Sequence, residues 1–95
     1  MGGTVFITGG ASGIGFDTAA LLAERGFKPF IFDLNDDAVR QACEKLGPAA
    51  RGVGGSVSDE DAIERAIDAA GAIVGVVNSA GIGMEQEASW VGLGW

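Results

Sequence analysis

The chain contains no histidine and a single cysteine, Cys43. The usual zinc ligand sets therefore cannot be assembled, and an intramolecular disulfide is excluded. No metal site is expected. Cys43 falls at an apolar position of an expected helix, where a thiol serves as a small hydrophobe rather than a nucleophile. Proline is scarce, with 2 residues, whereas glycine numbers 17. The glycines follow no three-residue period, which excludes a collagen-like chain. The 47% hydrophobic content suits one compact globular domain rather than a disordered segment. No apolar run reaches the ~18 residues that a membrane span requires, and the N-terminus lacks the basic flank and apolar core of a signal peptide. Basic residues are few, 6 against 13 acidic ones, for a net charge of −7. Such a surface repels nucleic acid and anionic membranes, so neither is an expected partner. The expected location is the cytoplasm.

What is present in quantity is glycine, and it is concentrated usefully. Thr8-Gly9-Gly10-Ala11-Ser12-Gly13-Ile14-Gly15 follows the apolar run Thr4-Val5-Phe6-Ile7 and opens a stretch of helical periodicity. A buried strand, a tight turn and a helix N-terminus in that order form a site for an anion. The first glycine permits a sharp turn, the middle one a close approach of backbone to ligand, and the last close packing of helix on strand.

The remaining chain alternates in the same way. A strand over residues 3–7 leads to a helix from Gly13 to about Arg25, with Ile14, Thr18, Leu21, Leu22 and Arg25 marking its turns, Ala19 and Ala20 allowing close packing and Gly26 ending it. Pro29 precedes the strand Phe30-Ile31-Phe32. Asn35 is the expected N-cap of a second helix, whose stripe is Ala38, Val39, Ala42, Cys43 and Leu46. A weak third strand is expected over residues 50–54. Ser58 and Asp61 resemble a capping box for a third helix, with stripe Ala62, Ile63, Ala66, Ile67 and Ala70. Residues 73–77 form an apolar fourth strand. The pattern β-α-β-α-β-α-β with short connections predicts an α/β fold, a parallel sheet with helices on both faces. Residues 82–95 break the pattern and are expected to form a short turn or a frayed helical segment, a tail beyond a unit spanning residues 1–81.

Glycines after a first strand are shared by many nucleotide-binding folds, methyltransferases among them. Three features narrow the choice: the wide spacing Gly9-x-x-x-Gly13-x-Gly15, Thr8 before it, and Asn78-Ser79-Ala80-Gly81 just after the fourth strand. Together these resemble the N-terminal half of a short-chain dehydrogenase/reductase. The resemblance implies a Rossmann-like sheet truncated after its fourth strand, with order 3-2-1-4. It also implies the NAD-binding portion of an oxidoreductase that moves a hydride between a nicotinamide cofactor and an alcohol or carbonyl substrate.

The resemblance further implies roles residue by residue. Gly9, Gly13 and Gly15 match the cofactor-loop glycines, and Ser12 and Ile14 lie where contacts to the pyrophosphate and nearby ribose are expected. Asp33 matches the acidic residue that accepts hydrogen bonds from the adenosine ribose, with Leu34 beside it. A 2′-phosphate would meet like charge at Asp33, and neither Ser12 nor Leu34 offers a compensating arginine, which favours NAD over NADP. Ser56 and Val57 fall in the adenine loop, with Ser56 where the family commonly has Asp. Asn78 is expected to tie neighbouring strands through side-chain–backbone bonds. Ala80 and Gly81 let the backbone pass near the nicotinamide-side ribose, and Ser79 replaces a frequent second Asn. Asp17 departs from the family's basic or small residue and suits an anion site only if it points outward.

The family's proton-handling Tyr, and the Lys four residues after it, lie well beyond the Asn-Ser-Ala-Gly motif. This chain has no tyrosine and no lysine after Lys45. No catalytic residue is therefore assigned, and the chain alone is expected to be silent. The fourth strand is expected to be an exposed apolar edge, which the tail could partly shield by folding back Trp90, Val91, Leu93 and Trp95, or which is available for homo-oligomer formation directly or through the tail. Two other readings stand beside this one: a non-catalytic nucleotide-binding or self-association module, and a methyltransferase-like fragment.

Overall fold

The computed structural model describes residues 2–79 in full and the backbone of 89–92. Strands β1 (Thr4–Thr8), β2 (Lys28–Asp33), β3 (Arg51–Gly54), β4 (Ile73–Asn78) and β5 (Ser89–Gly92) form one sheet, in the order β3-β2-β1-β4-β5. Helices α1 (Gly13–Glu24), α2 (Asp36–Leu46) and α3 (Glu60–Ala70) connect the first four strands. Those four are parallel. The expected Rossmann-like order 3-2-1-4 is present, with helices on both faces.

Period-two alternation divides the core into two layers. On one face Val5, Ile7, Ile31 and Val77 pack with Ala19 of α1 and Val39 of α2. On the other, Phe6, Phe30 and Phe32 pack with Ala66 and Ala70 of α3. The continuous apolar runs of β1 and β2 thus reflect strands covered on both sides. Phe6 stacks on Phe30, its register partner, at 5.6 Å between ring centroids, and on Phe32 at 5.9 Å. Arg51 extends this row across β3, its guanidinium 5.3 Å from the Phe30 ring centroid. The same guanidinium donates to Ala69 O and Ala70 O at 3.0 Å each, meeting the last carbonyls of α3, where a cation suits the helix dipole.

Local chemistry sets the helix boundaries. Asn35 Oδ1 accepts from Ala38 N at 3.0 Å, as expected of an N-cap. Gly26, Gly47 and Gly71 follow the three helices with φ of 90°, 107° and 81°. The third helix corrects the expected capping box: Asp59, not Ser58, is its N-cap and accepts from Ala62 N at 3.2 Å. Ser58 instead donates its N–H to Ser56 Oγ at 3.1 Å, so the loop turns once more before the helix begins. Two apolar stripes are also corrected. In α1 Ala19 is buried, as expected of a residue that allows close packing, and Gly15 with it, while Leu21 is 49% exposed, because only small residues allow the helix so close to the sheet. In α3, Ile67 is 42% exposed at the margin of the α3 face.

The expectations for β4 and the tail change most. Gly75 to Asn78 pair antiparallel with Ser89 to Gly92, so β4 is an interior strand rather than an exposed edge. The expected turn or frayed helix gives way to a strand at residues 89–92. An apolar strand left with unpaired N–H and C=O groups is a strong template for another strand, and this chain supplies one. The rest of the 82–95 tail lies outside the described residues. No helix of the described residues is long and apolar enough to cross a membrane.

Cys43 is half-buried against the α1–α2 layer, and burial pushes its thiol above the ordinary value of 9.0. Two outcomes follow. Arg51→Ala should lower stability by about 1–2 kcal/mol, read as a shift in the urea midpoint, because two charge-assisted bonds and the cation–π contact are lost together. Alkylation of Cys43 at mildly alkaline pH should be slower in the folded chain than in the urea-unfolded chain, since a raised pKa leaves less thiolate at a given pH.

Candidate cofactor site at the carboxyl edge of the sheet

The four parallel strands end in Thr8, Asp33, Gly54 and Asn78, which places the glycine turn, Leu34, Ser56-Val57 and Ser79 along one edge. In a parallel α/β sheet this edge is where ligands bind. The cations lie elsewhere: Lys28 and Arg51 begin β2 and β3, and Arg40 in α2 is paired with Asp37 at 2.7 Å.

The glycine turn is held by its own backbone. Gly9 and Gly13 adopt φ of 68° and 59°, in the left-handed region that favours glycine. Gly15 serves a different purpose. A Cβ there would lie 2.1 Å from Gly9 O and 2.5 Å from Ser79 Oγ, so the first turn of α1 touches the end of β1 directly. Gly9 N donates to Phe32 O at 2.8 Å, drawing the turn across the end of β2. The N–H groups of Gly13, Ile14 and Gly15 open α1 and have no intrahelical acceptor. Ser12 sits at the N-cap without a side-chain capping bond, and α1 has no acid in its first turn. By contrast, α2 and α3 are capped by Asn35 and Asp59 and carry acids there. Asp17 lies one turn further on and is exposed.

Asp33 faces the turn. Its Oδ2 accepts from Ala11 N at 3.0 Å and its Oδ1 from Leu34 N at 2.7 Å. A carboxylate has about four acceptor positions, so each oxygen keeps one for an incoming donor. Beyond it Leu34 is 74% exposed and Val57 46% exposed, with Ile14 at 37% on the helix side. Ser56 and Val57 follow β3, whose end is fixed by Gly54 N donating to Asp36 Oδ1 at 2.8 Å and Gly55 N to Asp33 O at 2.8 Å.

Asn78 departs from expectation in its partner. Its Oδ1 accepts from Thr8 Oγ1 at 2.7 Å, a side-chain pair between register partners on β1 and β4 rather than a side-chain–backbone tie. The backbone tie is made one residue later. Ser79 N donates to Thr8 O at 3.1 Å, and Ser79 Oγ to the same oxygen at 2.7 Å. Ala80 and Gly81 lie outside the described residues. Sequence reasoning named Thr8 and Ser79 within its two motifs without assigning the bonds that they make, and it missed the part played by Ala11. Ala11 acts through its N–H, which no side-chain pattern reveals. Thr8 and Ser79 stand inside the quoted motifs, but their bonds depend on the pairing of β1 with β4.

Among the described residues no group of three potential metal ligands converges. Gly15→Ala should cost about 2 kcal/mol, or roughly 8–16 °C in Tm for a domain of this size, because backbone rather than a flexible side chain must give way. Differential scanning calorimetry reads this directly, and an unchanged Tm would contradict the close contact.

Residues 3–91 match the sequence model of the short chain dehydrogenase family. The chain is 40% identical over 87 residues to Oxidoreductase asL5 of Sarocladium schorii, covering 87% of this chain and 35% of that protein. It is 41% identical over 85 residues to Tropinone reductase-like 2 of Erythroxylum coca, covering 85% of this chain and 31% of that protein. The chain therefore spans about a third of the length of these curated relatives. Among solved structures, it superposes on a 3-ketoacyl-(acyl-carrier-protein) reductase from Brucella melitensis complexed with NADH, with a TM-score of 0.76 and 29% identity, over 79% of this chain and 33% of that one. A short-chain type dehydrogenase/reductase from Mycobacterium ulcerans gives a TM-score of 0.78 at 36% identity, over 83% and 32%. With the glycine turn, the strand order and the sequence match in agreement, the chain belongs to the short chain dehydrogenase family and corresponds to an N-terminal segment of such proteins.

Proposed function

We propose that this chain is the NAD-binding portion of an oxidoreductase acting on an alcohol or carbonyl substrate. The observation that carries the proposal is the pairing of two features along one edge: an uncapped helix N-terminus at Gly13-Ile14-Gly15 and a carboxylate, Asp33, anchored to the same turn. The first offers N–H donors to a pyrophosphate, and the second offers acceptors to vicinal ribose hydroxyls.

The residues present fit that group. Gly9 and Gly13 bring the backbone close without a side chain, Ser12 and Ile14 flank the phosphate position, and no acid in the first turn of α1 opposes an anion. The two open acceptor positions of Asp33 match the two hydroxyls of an unphosphorylated ribose. Leu34 and Val57 offer exposed apolar surface to the adenine, and Ser56 a hydroxyl for its amine. Ala80 and Gly81 are assigned to the nicotinamide-side ribose, and Asn78, bonded to Thr8, supports that end of the site. A 2′-phosphate would lie against the Asp33 carboxylate, whose like charge supports NAD over NADP. When bound, the nicotinamide supplies or accepts the hydride. This chain's residues bind and orient the cofactor. They include no tyrosine, so the proton-handling step of the family is not theirs.

The intact oxidoreductase takes a small alcohol or carbonyl substrate, and a cytoplasmic location is in keeping with such a reaction. Family membership sets aside the methyltransferase reading. The test is calorimetry of the chain and of Asp33→Ala with NAD, NADP and S-adenosylmethionine. The chain should bind NAD in preference to the other two. Asp33→Ala should lose about tenfold or more in NAD affinity, equivalent to one or two charge-assisted hydrogen bonds, and little in NADP affinity. Equal NAD affinity in the two proteins would overturn the ribose assignment. With alcohol and NAD the chain alone should show no turnover.

A further inference from the structure

The glycine turn rests on β4 as well as on its own strand, and the contact is made by Ser79. Its hydroxyl lies 2.7 Å from Thr8 O and 3.3 Å from Gly9 O, the two successive carbonyls at which β1 becomes the turn. Gly9 O is also the atom that a Cβ on Gly15 would strike, and Ser79 Oγ is the next atom such a Cβ would meet. Gly9's carbonyl, Gly15 of α1 and the Ser79 hydroxyl thus meet at one point, with no room for a side chain between them. The preceding peptide shows the effect. Its carbonyl, Thr8 O, is turned toward Ser79, and its N–H, on Gly9, is turned the opposite way and bonds Phe32 O at 2.8 Å. Because a peptide unit is planar, fixing the carbonyl fixes the N–H. The peptide at the start of the turn is therefore held from both neighbouring strands, by Phe32 of β2 and by Ser79 after β4. The Ser79 amide also donates to Thr8 O at 3.1 Å, and its hydroxyl alone reaches on to Gly9 O.

We propose that Ser79 is a positioning residue for pyrophosphate recognition: its hydroxyl seats the Thr8–Gly9 backbone so that the N-terminus of α1 is held at the distance a phosphate requires. The proposal rests on the dinucleotide reading above and extends it to a residue that touches no part of the ligand in that reading. The hydroxyl acts on Thr8 and Gly9, at the start of the turn, whereas the adenosine end is built from Asp33, Leu34 and the β3–α3 loop, and Asp33 meets the turn further on, at Ala11. Removing the hydroxyl should weaken recognition of the phosphates and leave recognition of adenosine unchanged. A role in general stability would weaken both together.

The experiment compares the full chain with Ser79→Ala and Ser79→Thr, titrating each with ADP-ribose and with adenosine and following amide resonances by NMR. Ser79→Ala should bind ADP-ribose about fivefold more weakly, the effect of one hydrogen bond, with adenosine affinity unchanged. Ser79→Thr, which restores a hydroxyl, should recover at least half of the loss on a logarithmic scale. In the unsubstituted chain, the Ser79 amide and Thr8 carbonyl resonances should shift with ADP-ribose and not with adenosine. This second measurement stands even if Ser79→Ala does not fold. Parallel loss of both ligands in Ser79→Ala, full ADP-ribose affinity in that variant, or silent Ser79 and Thr8 resonances would overturn the proposal. Failure of the unsubstituted chain to bind either ligand would instead overturn the dinucleotide reading on which it rests.

Discussion

The contact between Gly15 and the carbonyl of Gly9 governs the geometry of this chain. With no Cβ at residue 15, α1 starts against the end of β1, and Ala19 one turn later continues the close approach. That approach keeps the turn from Gly9 to Ser12 short, so that Ala11 N–H reaches Asp33 at the end of the adjacent strand. It also leaves room for Ser79 beneath the turn. A larger residue at 15 would push the helix outward, and the bonds from Ala11 and Ser79 would have to lengthen together. The glycine is therefore a constraint on three strands, β1, β2 and β4.

Much of this was legible in the sequence, for a physical reason. The features that could be read depend on residues near one another in the chain. Gly9 and Gly13 were readable because tight left-handed turns favour glycine, and Asn35 because a helix start with a side-chain acceptor is a local arrangement. The two-faced burial of β1 and β2 was readable because covered strands become continuously apolar. Asp33 was readable by its position at a strand end, within a motif similar to a known family.

The features that escaped depend on what the fold brings together. Asp59 rather than Ser58 caps α3 because the preceding loop turns on Ser56 Oγ, a detail of backbone path. Ala11 contributes only a backbone N–H, which has no signature. Asn78 pairs with the Thr8 side chain across β1 and β4, a register that no local pattern contains. The strand at residues 89–92 reads poorly because Gly92 lowers its propensity, and it forms because β4 presents a long row of unsatisfied backbone groups. Arg51 is similar: a charged residue opening a strand gives no sign that it will close the far end of α3.

The two N–H donors on Asp33 have a consequence for the course of ligand capture. With Ala11 and Leu34 already bonded to its oxygens, the carboxylate has its rotamer set and the turn is tied down before anything arrives. On the proposed reading, a ribose reaching Asp33 meets a carboxylate already set, so little ordering entropy remains to be lost there on binding. Capture of the ribose by Asp33 should then add no slow step of its own, and the observed rate of that contact should rise linearly with ligand concentration.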